Sequence, residues 1–145
     1  MTTVLLVDDD ADNLRALRAV LESAGYNVVP ATGGNDALFR LNETNPRVIV
    51  TDWQMPGMDG LEFCQNIRRH PLRAFIPIIM LSANVEPVGQ PGCWSAFSRK
   101  PIAVGILLAL VAELSANGQT TRKALLECGG SAMSRWQSVD GRVWP

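Results

Sequence analysis

Apolar positions along this chain alternate between short unbroken runs and repeats at three- and four-residue spacing. Val4-Leu5-Leu6-Val7 is the first run, and four such residues together read as a strand buried on both faces. Leu14, Leu17, Val20, Leu21 and Ala24 then recur at helical spacing. Asp10 or Asp12 can cap that helix, and Gly25 fits its stop. Asn27-Val28-Val29-Pro30 reads as a second strand. Gly33-Gly34 opens a second helix through Ala37, Leu38 and Leu41, stopped near Asn45-Pro46. A third strand is expected over 48–51 and a third helix over about 60–70, with Leu61, Cys64 and Ile67 inward. A fourth strand is expected over 76–81 with Pro77 at its start, a short fifth over 95–98 and a long final helix over 103–117. Strand and helix patterns in strict alternation predict an α/β domain, a parallel sheet with helices on both faces.

Composition narrows the class. At 145 residues, 47% hydrophobic and 19% charged, the chain is one globular domain with room for an appendage. A net charge of −1 gives no bulk attraction to nucleic acid or to a membrane surface. Cys64, Cys93 and Cys128 are few, odd in number and widely spaced, so no disulfide framework or zinc motif follows from them. The N-terminus runs directly into a strand without a signal-peptide pattern, and the most apolar run, 102–112, is too short to span a bilayer. A cytoplasmic location is expected.

The chemistry concentrates where runs end. Val48-Ile49-Val50-Thr51 leads into Asp52-Trp53-Gln54-Met55-Pro56-Gly57-Met58-Asp59-Gly60, a loop whose Pro and Gly residues force the chain out of the sheet. Asp52 therefore stands at the carboxyl end of a central strand, where open α/β sheets keep their ligands. Asp8-Asp9-Asp10 follows the first strand, Ser82-Ala83 the fourth and Lys100-Pro101 the fifth. Singly, each has a plainer role: an Asp as helix cap or turn former, Lys100 as a solvated charge, Ser82 as a loop hydroxyl. Together, each after its own strand, they resemble the receiver domain of two-component response regulators, the CheY-like superfamily, over about residues 4–114.

The resemblance implies a flavodoxin-like, doubly wound, five-stranded parallel sheet of order 2-1-3-4-5. The first and third strands then lie side by side at the switch point, and their acids converge. Packed carboxylates repel unless a cation is present, and an all-oxygen site that accepts phosphate suits Mg²⁺. By resemblance, Asp52 is the phosphoacceptor, Asp9 and Asp52 ligate Mg²⁺ directly, Asp8 acts through water, and the main-chain carbonyl of Gln54 is a third protein ligand. Ser82 matches the switch hydroxyl, Lys100 the family's lysine before an often cis proline, and Phe97 the aromatic that changes rotamer. Gln54 and Asn84 match the two positions that tune phosphate lifetime. His70, at a helix end before Pro71, reads as structural, a cation suited to the dipole.

Two regions depart from the family pattern. Val85-Glu86-Pro87-Val88-Gly89-Gln90-Pro91-Gly92 occupies the place of the fourth helix, yet two prolines and two glycines cannot sustain one. A loop or single turn is expected there. Against the family, the connection is also about four residues short, near the minimum for a parallel crossover. The final helix places Ala103, Ile106, Leu107, Leu110 and Leu114 inward, but Val104, Leu108 and Ala112 make its far side apolar too. Either the chain's own tail covers that side or it is a homodimer or partner face. Residues 1–116 are thus expected as receiver and 117–145 as an extension. In the extension 121–128 fits two helical turns, Gly129-Gly130 breaks them, and Trp136 and Trp144 suggest docking.

The function expected is a phosphorelay receiver, fed by a histidine kinase or phosphotransfer protein. It would catalyse only its own phosphorylation and dephosphorylation, with no direct nucleic-acid or membrane contact. One rival is a Mg²⁺-dependent aspartyl-phosphate phosphatase, which wants a second acid where Gln54 stands. The other is a receiver-shaped interaction module that is never phosphorylated.

Overall fold

The computed structural model describes residues 1–87 and 92–128. Strands β1 (Thr3–Val7), β2 (Asn27–Ala31), β3 (Val48–Asp52), β4 (Ile78–Ser82) and β5 (Ala96–Arg99) form one parallel sheet of order β2-β1-β3-β4-β5. Helices α1 (Ala11–Ser23), α2 (Gly34–Leu41), α3 (Gly60–Arg69) and α4 (Val104–Cys128) make up the rest of the regular structure. Alternation along the strands splits the core in two. Leu5, Val7, Ile49, Ile78 and Met80 pack with Ala37, Leu41, Phe63, Cys64 and Ile67 of α2 and α3. Val4, Leu6, Val50, Ile79 and Leu81 pack with Leu21 of α1 and Leu107, Leu110, Val111 and Leu114 of α4. Both faces of the central strands are covered, which is why their sequences are unbroken apolar runs.

Register levels the chemistry. Val7 pairs with Thr51, so Asp8 comes level with Asp52. Asp52 pairs with Leu81, and Ser82 with Arg99, so Ser82 and Lys100 emerge at the same end.

Between β4 and β5 no helix occurs among the described residues, in line with the proline and glycine content of 85–92. Pro77 directly precedes β4. Several expectations need correction. α4 does not stop near residue 117 but runs to Cys128, taking in the turns expected separately over 121–128. Ile106 and Ala103 are exposed, Ile106 at 45%, because the buried stripe is Leu107, Leu110, Val111 and Leu114. α2 ends at Leu41, four residues early, and β5 starts one residue late. In α3 the buried set is Phe63, Cys64 and Ile67, while Leu61 is half-buried. Gly129-Gly130, Trp136 and Trp144 lie outside the described residues. No helix among the described residues is long and apolar enough to cross a membrane.

Candidate functional site

The three acids after β1 divide their work. Asp8 turns inward at 2% exposure, and its Oδ1 accepts from the Asp10 amide at 2.9 Å. Asp10 is the cap of α1, accepting from the Asp12 and Asn13 amides at 2.9 and 3.3 Å. Asp9 stays exposed at the rim. Asp52 ends β3 and is buried. Behind it, the Gly60 amide donates to the Trp53 carbonyl at 2.8 Å, closing the 53–59 loop. A Cβ at Gly60 would run into the Asp52 carbonyl oxygen and Trp53 Cα, so only glycine fits. Gly57 turns that loop at φ 75°, and Asp59 caps α3 through the Glu62 amide at 2.9 Å.

Lys100 reaches this cluster from β5. Its amide donates to the Ser82 carbonyl at 2.7 Å, and its peptide bond to Pro101 is cis. Its Nζ lies 3.0 Å from Asp52 Oδ1 and 3.5 Å from Asp8 Oδ2. Burial pushes the Asp52 carboxyl above its ordinary range, more than the Lys100 contact pulls it down, and Asp8 adds to the rise. Burial pulls Lys100 down, but its contacts with Asp52 and Asp8 together outweigh that and leave it raised.

Carboxylate oxygens of Asp8, Asp9 and Asp52 all lie within 4.8 Å of one another. Lys100 is the one cation paired with them among the described residues, so two negative charges stay uncompensated. Three hard oxygen donors with excess negative charge fit a divalent cation such as Mg²⁺.

Residues 4–91 match the family model described as the response regulator receiver domain. The chain belongs to this family. It is 32% identical over 148 residues to the phosphate regulon transcriptional regulatory protein PhoB of Pseudomonas aeruginosa, covering 97% of this chain and 65% of that protein. It is 37% identical over 83 residues to the alkaline phosphatase synthesis transcriptional regulatory protein PhoP of Bacillus subtilis, covering 57% of this chain and 34% of that one. The chemotaxis response regulator CheY4 of Vibrio cholerae superimposes with a TM-score of 0.70 at 30% identity, over 79% of this chain and 98% of that chain. The matched part of the chain thus spans 65% of the first of these curated relatives and 34% of the second.

The remaining receiver positions sit toward β4 and β5. Ser82 is buried, its Oγ donating to Gln54 Oε1 at 3.3 Å and accepting from the Asn84 amide at 3.1 Å. Those contacts point it at Gln54 and Asn84 rather than at Asp52. Phe97 is buried, with ring centroids 6.1 Å from Trp53 and 5.6 Å from Trp94. Trp94, 5.3 Å from Trp53, is the residue that sequence reasoning missed. It is 6% exposed and its Nε1 donates to Glu86 Oε2 at 2.8 Å. Its signal was an aromatic immediately ahead of the fifth strand, in a segment otherwise read as a loop. His70 stands at the end of α3, and its Nδ1 accepts from the Leu72 amide at 3.2 Å in the turn that follows.

Proposed function

We propose that this receiver takes a phosphoryl group on the Asp52 carboxylate from a histidine kinase or phosphotransfer protein. Asp9, Asp52 and the Gln54 main-chain carbonyl would hold Mg²⁺, with Asp8 joining through water. The observation that carries the reading is the buried Asp8–Asp52 pair with Lys100 Nζ lying 3.0 Å from Asp52 Oδ1. When bound, Mg²⁺ supplies charge neutralisation for the acids and for phosphoryl oxygens. An Asp52 oxygen attacks phosphorus in line, and the new P–O bond forms as the donor's P–N bond breaks. Lys100 Nζ donates to a phosphoryl oxygen. Ser82 Oγ leaves Gln54 and donates to another, and Phe97, already buried, changes rotamer with it in a two-state shift. Gln54 and Asn84 flank the group and set how readily water removes it. The domain turns over its own aspartyl phosphate and no third molecule.

The phosphatase reading lacks its second acid, since residue 54 is a glutamine, whose amide oxygen accepts from Ser82. With no helix among the described residues between β4 and β5, output runs through α4, which continues without a break from the 1–116 receiver into the 117–145 extension. Exposed Val104 and Ile106 beside half-buried Leu108 support a homodimer face on α4. The protein works in the cytoplasm, without direct nucleic-acid contact.

Labelling with acetyl phosphate across a Mg²⁺ titration tests the reading, with Asp52→Asn as control. Metal-dependent incorporation that the variant lacks is expected. Equal labelling of both would remove Asp52 from its role. Beryllofluoride with Mg²⁺ should change Trp53 fluorescence, and an unresponsive protein would favour the non-phosphorylated module. Leu108→Glu should lower the mass seen by light scattering.

A further inference from the structure

The sheet has a second concave end, opposite Asp52. Arg47 directly precedes β3 and Pro77 directly precedes β4, so both stand at strand entries, while Asp52 stands at a strand exit. Five residues of strand put about 16 Å between those ends. These entries, the exit of α2, the turn after α3 and Ser115 of α4 frame a cavity of about 460 Å³. That is room for a small organic molecule. Leu41, Phe75 and Pro77 give the wall an apolar part, while Arg47, His70 and Arg73 give it hydrogen-bond donors. No acidic residue lines the cavity among the described residues. Neither arginine forms an ion pair among them. Arg73 is half-buried, and its Nη2 donates to Asn42 Oδ1 at 2.8 Å, a neutral acceptor that leaves the charge uncompensated. His70 Nδ1 accepts from the Leu72 amide, so Nε2 carries the ring proton and is a donor. Two uncompensated cations on one concave wall, beside apolar surface, focus their field on an anion. The positive charge is local, since the whole chain carries a net −1.

We propose that this cavity binds a small organic phosphate, a dianionic head on a flat apolar body, at a site separate from the Asp52 end. Arg47 and Arg73 share the head, because a planar guanidinium matches phosphate oxygens in pairs. His70 adds a donor through Nε2. The apolar body rests on Leu41, Phe75 and Pro77. Two cations favour a dianion over a carboxylate with one charge. Inorganic phosphate supplies the head but leaves the apolar wall in water, so it gains less. The two ends of the sheet therefore select opposite charges: acids at the strand exits suit a cation, and arginines at the strand entries suit an anion. A ligand seated here touches the entries of β3 and β4 together with Ser115. Through Ser115 it bears on α4, the helix that continues past residue 116.

The test titrates the full isotope-labelled chain, in EDTA, with fully ionised phenylphosphonate, whose P–C bond cannot pass phosphorus to Asp52. Backbone amide shifts within 42–47 and 72–76 should report a Kd of about 1 mM or tighter. Inorganic phosphate, the head alone, and benzoate, a single charge on the same ring, should each bind about tenfold more weakly. Arg47→Gln alters an exposed side chain, so its spectrum should stay that of the folded chain while phenylphosphonate binds about tenfold more weakly. Arg73→Gln should do the same. No shift by about 10 mM phenylphosphonate, shifts centred on the acidic end, or wild-type affinity in Arg47→Gln would overturn the proposal. Benzoate binding as tightly as phenylphosphonate would overturn the choice of a phosphate. The titration involves neither Mg²⁺ nor phosphorylation, so its failure leaves the Asp52 reading untouched.

Discussion

At the edge shared by β1 and β3, every group around Asp52 is delivered by backbone geometry. Register brings Asp8 level with it, Gly60 gives its carbonyl room, and Lys100 arrives on a backbone bond to Ser82. At the edge shared by β4 and β5 the described connection is irregular, and side chains do the covering. Trp94 tethers to Glu86 and packs at a tilt against Trp53 and Phe97. The difference teaches that this receiver holds its acidic cluster on strand ends and covers the β4–β5 end with an aromatic cluster. A site set by strand ends tolerates little change. A face set by ring packing can be reshaped without disturbing the acids.

The largest effect should come from the acceptor end. Asp52→Asn should reduce acetyl-phosphate labelling to background. Lys100→Ala should slow labelling about 100-fold by removing a donor to the phosphoryl group. Without divalent cations, Lys100→Ala should also cost about 3 kcal/mol in denaturant unfolding, because Asp8 and Asp52 lose their cation. If labelling survives Lys100→Ala, the two edges are less different than they look.

Trp94→Ala should cost about 3 kcal/mol through the cavity it leaves, while Asp52 still labels. An unchanged melting temperature would show that the aromatic cluster does not replace the helix. Gly60→Ala should cost about 2 kcal/mol, since backbone atoms stand where its methyl would go.

A smaller effect separates the edges by pH. Burial holds Asp52 above the carboxylate range, so in the window between its unfolded and folded values the folded chain keeps a proton the unfolded chain has lost. Stability should therefore decline as pH rises through that window and level off above it. In a chelator, the wild-type melting temperature should fall relative to that of Asp52→Asn from about pH 4 upward. A constant difference would count against a buried, uncompensated acid. Smallest of all, Glu86→Gln should cost about 1 kcal/mol or less, as it weakens one hydrogen bond to Trp94 without emptying its pocket.

Much of this protein was legible in one dimension. Unbroken apolar runs marked β1, β3 and β4 because those strands are buried on both faces and have no solvent side to alternate with. Asp52, Asp8, Ser82 and Lys100 were legible because a strand end is a fixed place. The prolines and glycines of 85–92 argued against a helix from local chemistry alone, and none occurs among the described residues there. Other features depended on what lies across the sheet. Ile106 and Leu107 are equally apolar, and only the angle at which α4 meets the strands decides which is buried. The division of Asp8, Asp9 and Asp10 into inward acid, rim acid and cap needed the turn itself. Trp94 and Phe97 packing on Trp53, and Arg68 reaching the Cys93 carbonyl, join residues remote along the chain. Sequence pattern carries spacing within an element, but contacts between elements depend on their relative placement, and packing alone sets that.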